Sequence, residues 1–427
     1  PPSESTKFLW RFGKHKGTTM NLKISKFANS LSDPRSWLQP RLPDMRVTRQ
    51  AVQVLAALCA TLLGIGLTRA ETGVTAQTVL IGQSVSLTGP LAEIGTDFSE
   101  GFKAYIDEVN RRGGVFGRRL KLVLMDDGYV PQQSLANTEK LIGEDRVFAL
   151  AGNLGTANVT GVLPLLEQHR VPLFSAFTGA DSLRHTPNRY VFTVMASYGN
   201  ETEKMVQHLT TVGIKSIAVA YQNNAFGQEG LAGVQAAMKD RQIAPIASAA
   251  IETDARDAAV AAQTIARARP QAVILTMAGK PTIEFIREFK KTGVAAQLLL
   301  LSVADTNLLV KQFGKDAAGI LVTQTMPAPF SDKLGVSREF RQLMRSVGKD
   351  KHVGYASMTG FVSAKAFVEA LRLTGPDLTR EKFMTSIESA KNMDLGGYVL
   401  RFGPEKHHGS IYVEITMIKP GGALFVY

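Results

Sequence analysis

The sequence predicts an α/β protein of two lobes, each a parallel sheet flanked by helices. Three observations carry this expectation. From residue 78 onward, short apolar runs of strand length alternate with amphipathic runs of helical period. The alternation occurs twice, and a second series starts near Ser197. Helical segments that belong with the first series return only after Thr325-Met326-Pro327-Ala328-Pro329, where two prolines prevent a regular continuation.

The first series opens with a strand over 79–85 and a loop, Ser86-Leu87-Thr88-Gly89-Pro90-Leu91-Ala92. A helix follows in which Phe98, Phe102, Tyr105, Ile106 and Val109 share one face, and Gly113-Gly114 stops it. A strand over 120–125 ends in Asp126-Asp127, adjacent residues that point opposite ways and suit loop capping better than joint chemistry. A helix over 131–142 leads to the central unit: an apolar run over 147–151, a glycine turn over 152–158, an amphipathic run over 159–169 and an apolar run over 171–178. A strand over 190–194 closes the series.

The second series predicts strands over 217–221, 246–251, 272–277, 297–302 and 320–324, with helices over 226–239, 257–267 and 282–292. Helices over 336–347, 354–374 and 379–389 and late strands over 398–402 and 410–418 complete the chain.

In open parallel sheets, ligands bind beyond the carboxyl ends of the strands. The central unit places Thr156, Ser175 and Thr178 at such ends beside glycine or alanine. Thr156 is also expected to cap the helix it precedes, whose first amides favour an anion. A carboxylate fits there without meeting a charged side chain. The cleft between two lobes is the natural place for such a ligand.

Composition excludes several classes. A chain of 427 residues with 44% hydrophobic and 20% charged residues is ordinary for a globular protein. Its net charge of +12 is concentrated early: residues 1–70 hold 11 basic and 3 acidic side chains, which leaves the remainder at only +4. No nucleic-acid surface is indicated. Met45, Arg46 and Arg49 precede an apolar run over 51–67 that ends in Thr68-Arg69-Ala70, the layout of a signal peptide over 45–70 cleaved after Ala70. Gln53 and Thr61 interrupt that run, and about 17 residues is near the lower limit for a membrane span. Leu58, where a small residue is expected, argues against lipid attachment at Cys59. Residues 1–44 are basic and aperiodic, and are expected to lie outside the mature protein with Met45 as initiator. Cleavage removes the only cysteine together with Trp10 and Trp37, so a soluble, exported product without disulfides is expected.

The run Ile81-Gly82-Gln83, then Leu87-Thr88-Gly89-Pro90-Leu91-Ala92 and Gly95, then Asn110-Arg111-Arg112-Gly113-Gly114-Val115 and Asp126-Asp127, resembles the leucine/isoleucine/valine-binding family of periplasmic solute-binding proteins. The resemblance covers about residues 77–420. It implies a type I Venus-flytrap protein: two Rossmann-like lobes joined by a three-segment hinge that closes on ligand. The expected lobes are 77–196 plus 326–402 and 197–325 plus 403–427. It also implies a periplasmic, monomeric binding protein that is not an enzyme and needs no cofactor or metal. Its ligand would be a small carboxylate, either branched-chain amino acid-like or an amine-free aromatic or branched acid, passed to a membrane ABC permease. The alternative is a ligand-sensing receptor subunit not coupled to transport.

In that family a hydroxyl residue and backbone amides of the first lobe hold the ligand carboxylate. The matching positions here are Gly155 and Thr156, with Ala176, Phe177 and Thr178. Phe226 fills the position of an aromatic from the second lobe, and Tyr355 is presented by a late helix. The departures concern the ligand's amine: Ala278 and Ser302 stand where amino-acid binders place a tyrosine and an acid. Asp305 is nearby and substitutes if the loop is shifted. Without a counter-charge a buried ammonium costs several kcal/mol, which points to an amine-free acid.

Other chemistries are less well served. Gly152 and Gly155 lack the Lys-Ser/Thr pair of a phosphate loop and the dinucleotide glycine pattern, which disfavours a nucleotide-dependent enzyme. There is no Gly-x-Ser-x-Gly turn. His407-His408 has no further ligand at useful spacing and is expected to be exposed, and Lys311 to Lys315 and Lys349 to Lys351 to be solvated charge.

Overall fold

In the computed structural model, which describes residues 71–185, 188–421 and 424–426, the first series forms one five-stranded sheet. Its strands are β1 (Thr78–Val85), β2 (Arg119–Asp126), β3 (Ala149–Ala151), β4 (Leu173–Phe174) and β5 (Val191–Phe192). They are all parallel, in the order β2-β1-β3-β4-β5. Runs such as Val147 to Ala151, buried throughout, read as continuous apolar stretches because both faces of a parallel sheet are covered. The expected extension and signal peptide, with the basic segment and apolar run within them, lie outside the described residues.

The second series builds β6 (Ile217–Gln222), β7 (Ser248–Ile251), β8 (Ala272–Thr276), β9 (Gln297–Leu300) and β10 (Leu321–Gln324), all parallel to one another. Their order, β10-β9-β8-β6-β7, repeats that of the first sheet. In each sheet the strand order reverses beside the first strand of the series, between β1 and β3 and between β6 and β8. Crevices for ligands arise at such reversals. An antiparallel pair, β13 (Glu414–Ile418) and β14 (Leu424–Val426), extends the second sheet beyond β10. The strand over 424–426 was not anticipated from the sequence.

Helices cover the first sheet. α1 (Ala92–Arg111) buries the expected face: Phe98, Phe102, Tyr105, Ile106 and Val109 are all buried. α2 (Pro131–Gly143) and α3 (Thr156–His169) follow their strands. The helices after the proline segment are α9 (Gly335–Ser346), α10 (Tyr355–Thr374) and α11 (Arg380–Ser389), and they return to this sheet. Phe383 of α11 packs edge-on against Phe148 with ring centroids 5.4 Å apart. α10 is buried nearly all round and lies directly on α1, because Gly101 and Gly360 leave no side chain at the crossing. A Cβ on Gly101 would meet the Ser357 carbonyl, and one on Gly360 the Phe98 carbonyl.

The second sheet carries α4 (Tyr198–Thr211), α5 (Ala225–Lys239), α6 (Ala258–Arg267), α7 (Lys280–Lys291) and α8 (Thr306–Phe313). α4 starts with a capping box in which Ser197 accepts from the Asn200 nitrogen at 3.0 Å. The helix at 306–313 was not anticipated: Asp305 caps it from a left-handed conformation, φ 48°, which sequence periodicity does not reveal.

The chain passes between the sheets after β5, after β10 and before β13. A small hairpin, β11 (Met393–Asp394) with β12 (Val399–Leu400), precedes the last crossing. The chain stays against the first sheet through Gly409, whose nitrogen donates to the Thr193 carbonyl. The expected exposure of His407-His408 is therefore wrong. His407 is buried and stacked on Phe192 at 4.1 Å, and burial pushes the His408 imidazole down to about 3. An aromatic neighbour distant in sequence left no local signal for this.

Candidate functional site

Loops at the carboxyl ends of β3 and β4 lie side by side. A parallel bridge pairs Leu154 with Phe177, the Gly155 nitrogen donates to the Phe177 carbonyl at 3.2 Å, and the Phe177 nitrogen to the Asn153 carbonyl at 2.8 Å. Gly155 takes φ 102°, a conformation that favours glycine. Tyr129, itself at φ 63°, lays its ring over this glycine, so that a Cβ there would sit 2.6 Å from Cε2.

This arrangement brings the Thr156 and Thr178 hydroxyls to 2.8 Å in a buried setting. The expected capping role of Thr156 is corrected. Gly155 is the N-cap and provides no side chain, while Thr156 is already the first helical residue and turns its hydroxyl toward Thr178. A third hydroxyl joins them, with Tyr198 Oη 3.5 Å from Thr178 Oγ1. Burial pushes the Tyr198 phenol up to about 12, so it stays protonated and able to donate. Phe226 packs edge-on against the same ring at 5.1 Å. Ala176 is buried just behind, its nitrogen donating to the Phe192 carbonyl.

A second group of sequence-selected residues lines one narrow cavity between the two sheets: Phe177, Ser302, Asp305 and Tyr355. Ile94, Gln324, Met326 and Thr359 are also among its walls. It encloses about 20 Å³, room for roughly one water, so admitting a ligand requires the lobes to part. Phe177 connects the two groups, because it lies between Ala176 and Thr178 in sequence and stacks on Phe98 at 4.9 Å. Ile94 also borders a larger crevice of about 880 Å³ whose walls include Pro90 on one side and Gly279 on the other. Ala278 belongs to neither group. It is buried at the end of β8, and its nitrogen donates to Gln222 Oε1 at 3.3 Å.

The acids near the cavity are already engaged. Asp305 Oδ1 accepts from the Asn307 nitrogen at 2.9 Å, and burial and the neighbouring Asp97 carboxylate push its carboxyl up to about 6. Glu201 is fully buried on α4 and was missed from the sequence, where it reads as one charged residue on an amphipathic helix. It accepts from the Ser302 nitrogen at 2.8 Å, the Ser302 hydroxyl at 3.0 Å and the Thr323 hydroxyl at 2.5 Å. Burial outweighs these donors and pushes its carboxyl up to about 7. Tyr129 and Tyr198 were missed as well. Tyr129 lies in a loop and Tyr198 is the first residue of α4, where periodicity says nothing of a role, and only the fold sets one over Gly155 and the other beside Thr178.

Loop capping by the acidic pair is as expected. Asp126 accepts from the Leu87 nitrogen at 2.8 Å, while Asp127 accepts from the Ser86 hydroxyl at 2.8 Å and from Ser84 at 3.0 Å.

Two similar parallel sheets with a narrow cavity between them form a fold suited to binding a small ligand. The family model described as periplasmic binding protein matches residues 78–423. The chain belongs to the periplasmic binding protein family. Members of this family are solute-binding proteins and not enzymes. A substrate-binding periplasmic protein from Ralstonia solanacearum is 32% identical, with a TM-score of 0.77 over 82% of this chain and 100% of that one. A possible leucine/isoleucine/valine-binding protein from Rhodopirellula baltica SH 1 is 29% identical, with a TM-score of 0.78 over 82% of this chain and 96% of that one. The Leu/Ile/Val-binding protein homolog 3 of Brucella melitensis is 26% identical over 155 residues, 36% of this chain and 42% of that protein. The chain thus spans under half the length of that curated relative. These similarities agree with the two-lobed α/β fold of this periplasmic binding protein, in which no described helix is long and apolar enough to cross a membrane.

Proposed function

We propose that the protein is an extracytoplasmic solute-binding component of an ABC importer that captures a small monocarboxylate lacking an α-ammonium. The observation that carries this reading is the hydroxyl cluster of Thr156, Thr178 and Tyr198, buried at the strand ends. Hydroxyl donors with helix-start amides satisfy a carboxylate without a salt bridge. An ammonium is less well served: Ala278 offers no polar side chain, Ser302 brings no charge, and the Asp305 carboxylate already holds two helix amides through Oδ1. Relatives named as leucine/isoleucine/valine-binding proteins support the ligand's size, and the periplasmic binding family supports export through the apolar segment ahead of Ala70.

In this reading the lobes are 77–196 plus 326–409 and 197–325 plus the carboxyl-terminal strands, hinged where the chain passes between the sheets. On closure Gly155, Thr156, Ala176 and Thr178 meet the carboxylate. Phe226, Phe177 and Tyr355 enclose the side chain, while Ala278, Ser302 and Asp305 face the α-position. The protein acts as a monomer that presents its closed form to a membrane permease.

The test is a thermal-shift screen of amino acids against amine-free branched, aromatic and dicarboxylic acids, since binding to the folded state alone raises the melting temperature. Shifts from monocarboxylates are expected. Shifts confined to amino acids would overturn the amine-free assignment.

A further inference from the structure

The walls of the narrow cavity offer acceptors in an unusual concentration. Ser302 lines it, and its hydroxyl proton is donated to Glu201 Oε1 at 3.0 Å. A hydroxyl has one proton and two lone pairs, so what Ser302 has left is acceptor capacity. Thr359 lines it as well and donates its proton to the Tyr355 carbonyl at 2.8 Å. Asp305 adds a carboxylate whose Oδ1 takes the helix amides.

Gln324 completes the set. It is 1% exposed, lines the cavity, and its Oε1 is buried with no hydrogen-bond partner. Among the described residues with such an unpartnered side-chain atom, it alone lines this cavity. The orientation of its amide follows from the network. Thr416 donates its proton to the Val322 carbonyl at 2.9 Å and must therefore accept from Gln324 Nε2, which lies 3.3 Å away. That leaves Oε1 as the orphan. A buried acceptor without a partner is costly, and a ligand that supplies the missing proton recovers that cost on binding.

We infer that this wall reads a neutral hydrogen-bond donor on the ligand, and that the preferred ligands are 2-hydroxy monocarboxylates. The inference rests on the carboxylate reading above. Phe177 lines the cavity and directly precedes Thr178, so in this inference an acid anchored at Thr178 extends past Phe177 and places its α-substituent toward these acceptors. Two of the acceptors that line the cavity, Ser302 Oγ and Gln324 Oε1, are neutral, and the one carboxylate on its wall, Asp305, already holds two helix amides through Oδ1, a set that takes the proton of a hydroxyl. Glu201 is a positioning residue here: it never reaches the ligand, but by holding the Ser302 proton it obliges Ser302 to accept. The buried negative charge behind the wall also disfavours a second carboxylate at this end.

Three ligands with one skeleton test this: 4-methylpentanoate, 2-hydroxy-4-methylpentanoate and leucine, titrated calorimetrically into the purified protein at pH 8. The hydroxy acid is expected to bind about five- to tenfold tighter than the unsubstituted acid, the worth of one hydrogen bond that also satisfies a buried acceptor. It is also expected to bind tighter than leucine. Glu201→Gln is expected to lower the ratio between hydroxy and unsubstituted acid, because an amide nitrogen facing Ser302 releases its proton and leaves Gln324 Oε1 as the remaining neutral acceptor. Ser302→Ala is the second variant should the first fail to fold, and it is expected to do the same. Equal affinity for the two acids, or a ratio unchanged in both variants, would overturn the inference while the carboxylate reading stands. Leucine binding tightest would overturn it and assign the α-position to Asp305. If none of the three binds, the small branched carboxylate reading itself fails, and this inference with it.

Discussion

Glu201 and Ser302 are bound to each other twice, the carboxylate taking both the backbone nitrogen at 2.8 Å and the hydroxyl at 3.0 Å. The pair ties the first helix of the second lobe to the loop after β9, at the edge of the cleft. It has a consequence for stability against pH. Burial raises the Glu201 carboxyl from 4.5 to about 7 in the folded state. The folded protein therefore holds a proton that the unfolded chain gives up, and this contribution is present below pH 4.5 and lost as pH rises through 7. At its largest it amounts to roughly 3 kcal/mol. Glu201→Gln should flatten the fall in melting temperature between pH 5 and pH 8. Parallel curves for the two proteins would show that Glu201 does not titrate in this window.

Thr156 carries the anchoring prediction. Replacing it by alanine removes one member of the buried hydroxyl pair and should cost about 1–3 kcal/mol of ligand affinity, the range for a hydrogen bond to a charged group. Calorimetry with a ligand found in the screen measures it. Unchanged affinity means that the carboxylate sits elsewhere.

Gly279 is the prediction for closure. It takes φ 64°, and the Pro90 carbonyl of the other lobe lies against it so closely that a Cβ has no room. Gly279→Ala should hold the lobes apart, which solution scattering would detect as a larger radius of gyration in the presence of ligand, with weaker binding and an intact circular-dichroism spectrum. Full closure in this variant would mean that Pro90 and Gly279 are not a closing contact.

Gly360 tests the helix crossing. Alanine is the better helix former by roughly 1 kcal/mol, yet here its methyl group would strike the Phe98 carbonyl of α1. Overpacking against backbone costs about 1–3 kcal/mol and should win, so Gly360→Ala should lower the midpoint of urea unfolding. A raised midpoint would show that α1 and α10 separate without loss.

The architecture was legible because its signals are local and repeated. Both series of strands and helices, the buried face of α1 and the stop at Gly113-Gly114 follow from periodicity and glycine alone. Elements that tertiary contacts create were not legible. The helix at Thr306–Phe313 depends on Asp305 in a left-handed conformation, and the buried state of His407 on a phenylalanine more than two hundred residues away.

Of the site, the sequence by itself determined the strand ends: small residues and hydroxyls after short apolar runs place Thr156 and Thr178 where a parallel sheet opens. Only the tertiary structure decided what those residues face. Whether a hydroxyl caps a helix or meets another hydroxyl depends on the register of two loops: local pattern adds a capping role to Thr156, and the structure gives that position to Gly155 and turns the Thr156 hydroxyl to Thr178. Likewise Ser302 reads as a polar residue lost from an amine site, until folding sets the carboxylate of Glu201 behind it and spends its proton. Hydrogen-bond direction is a property of the assembled network, because each proton is placed only when every partner around it is known.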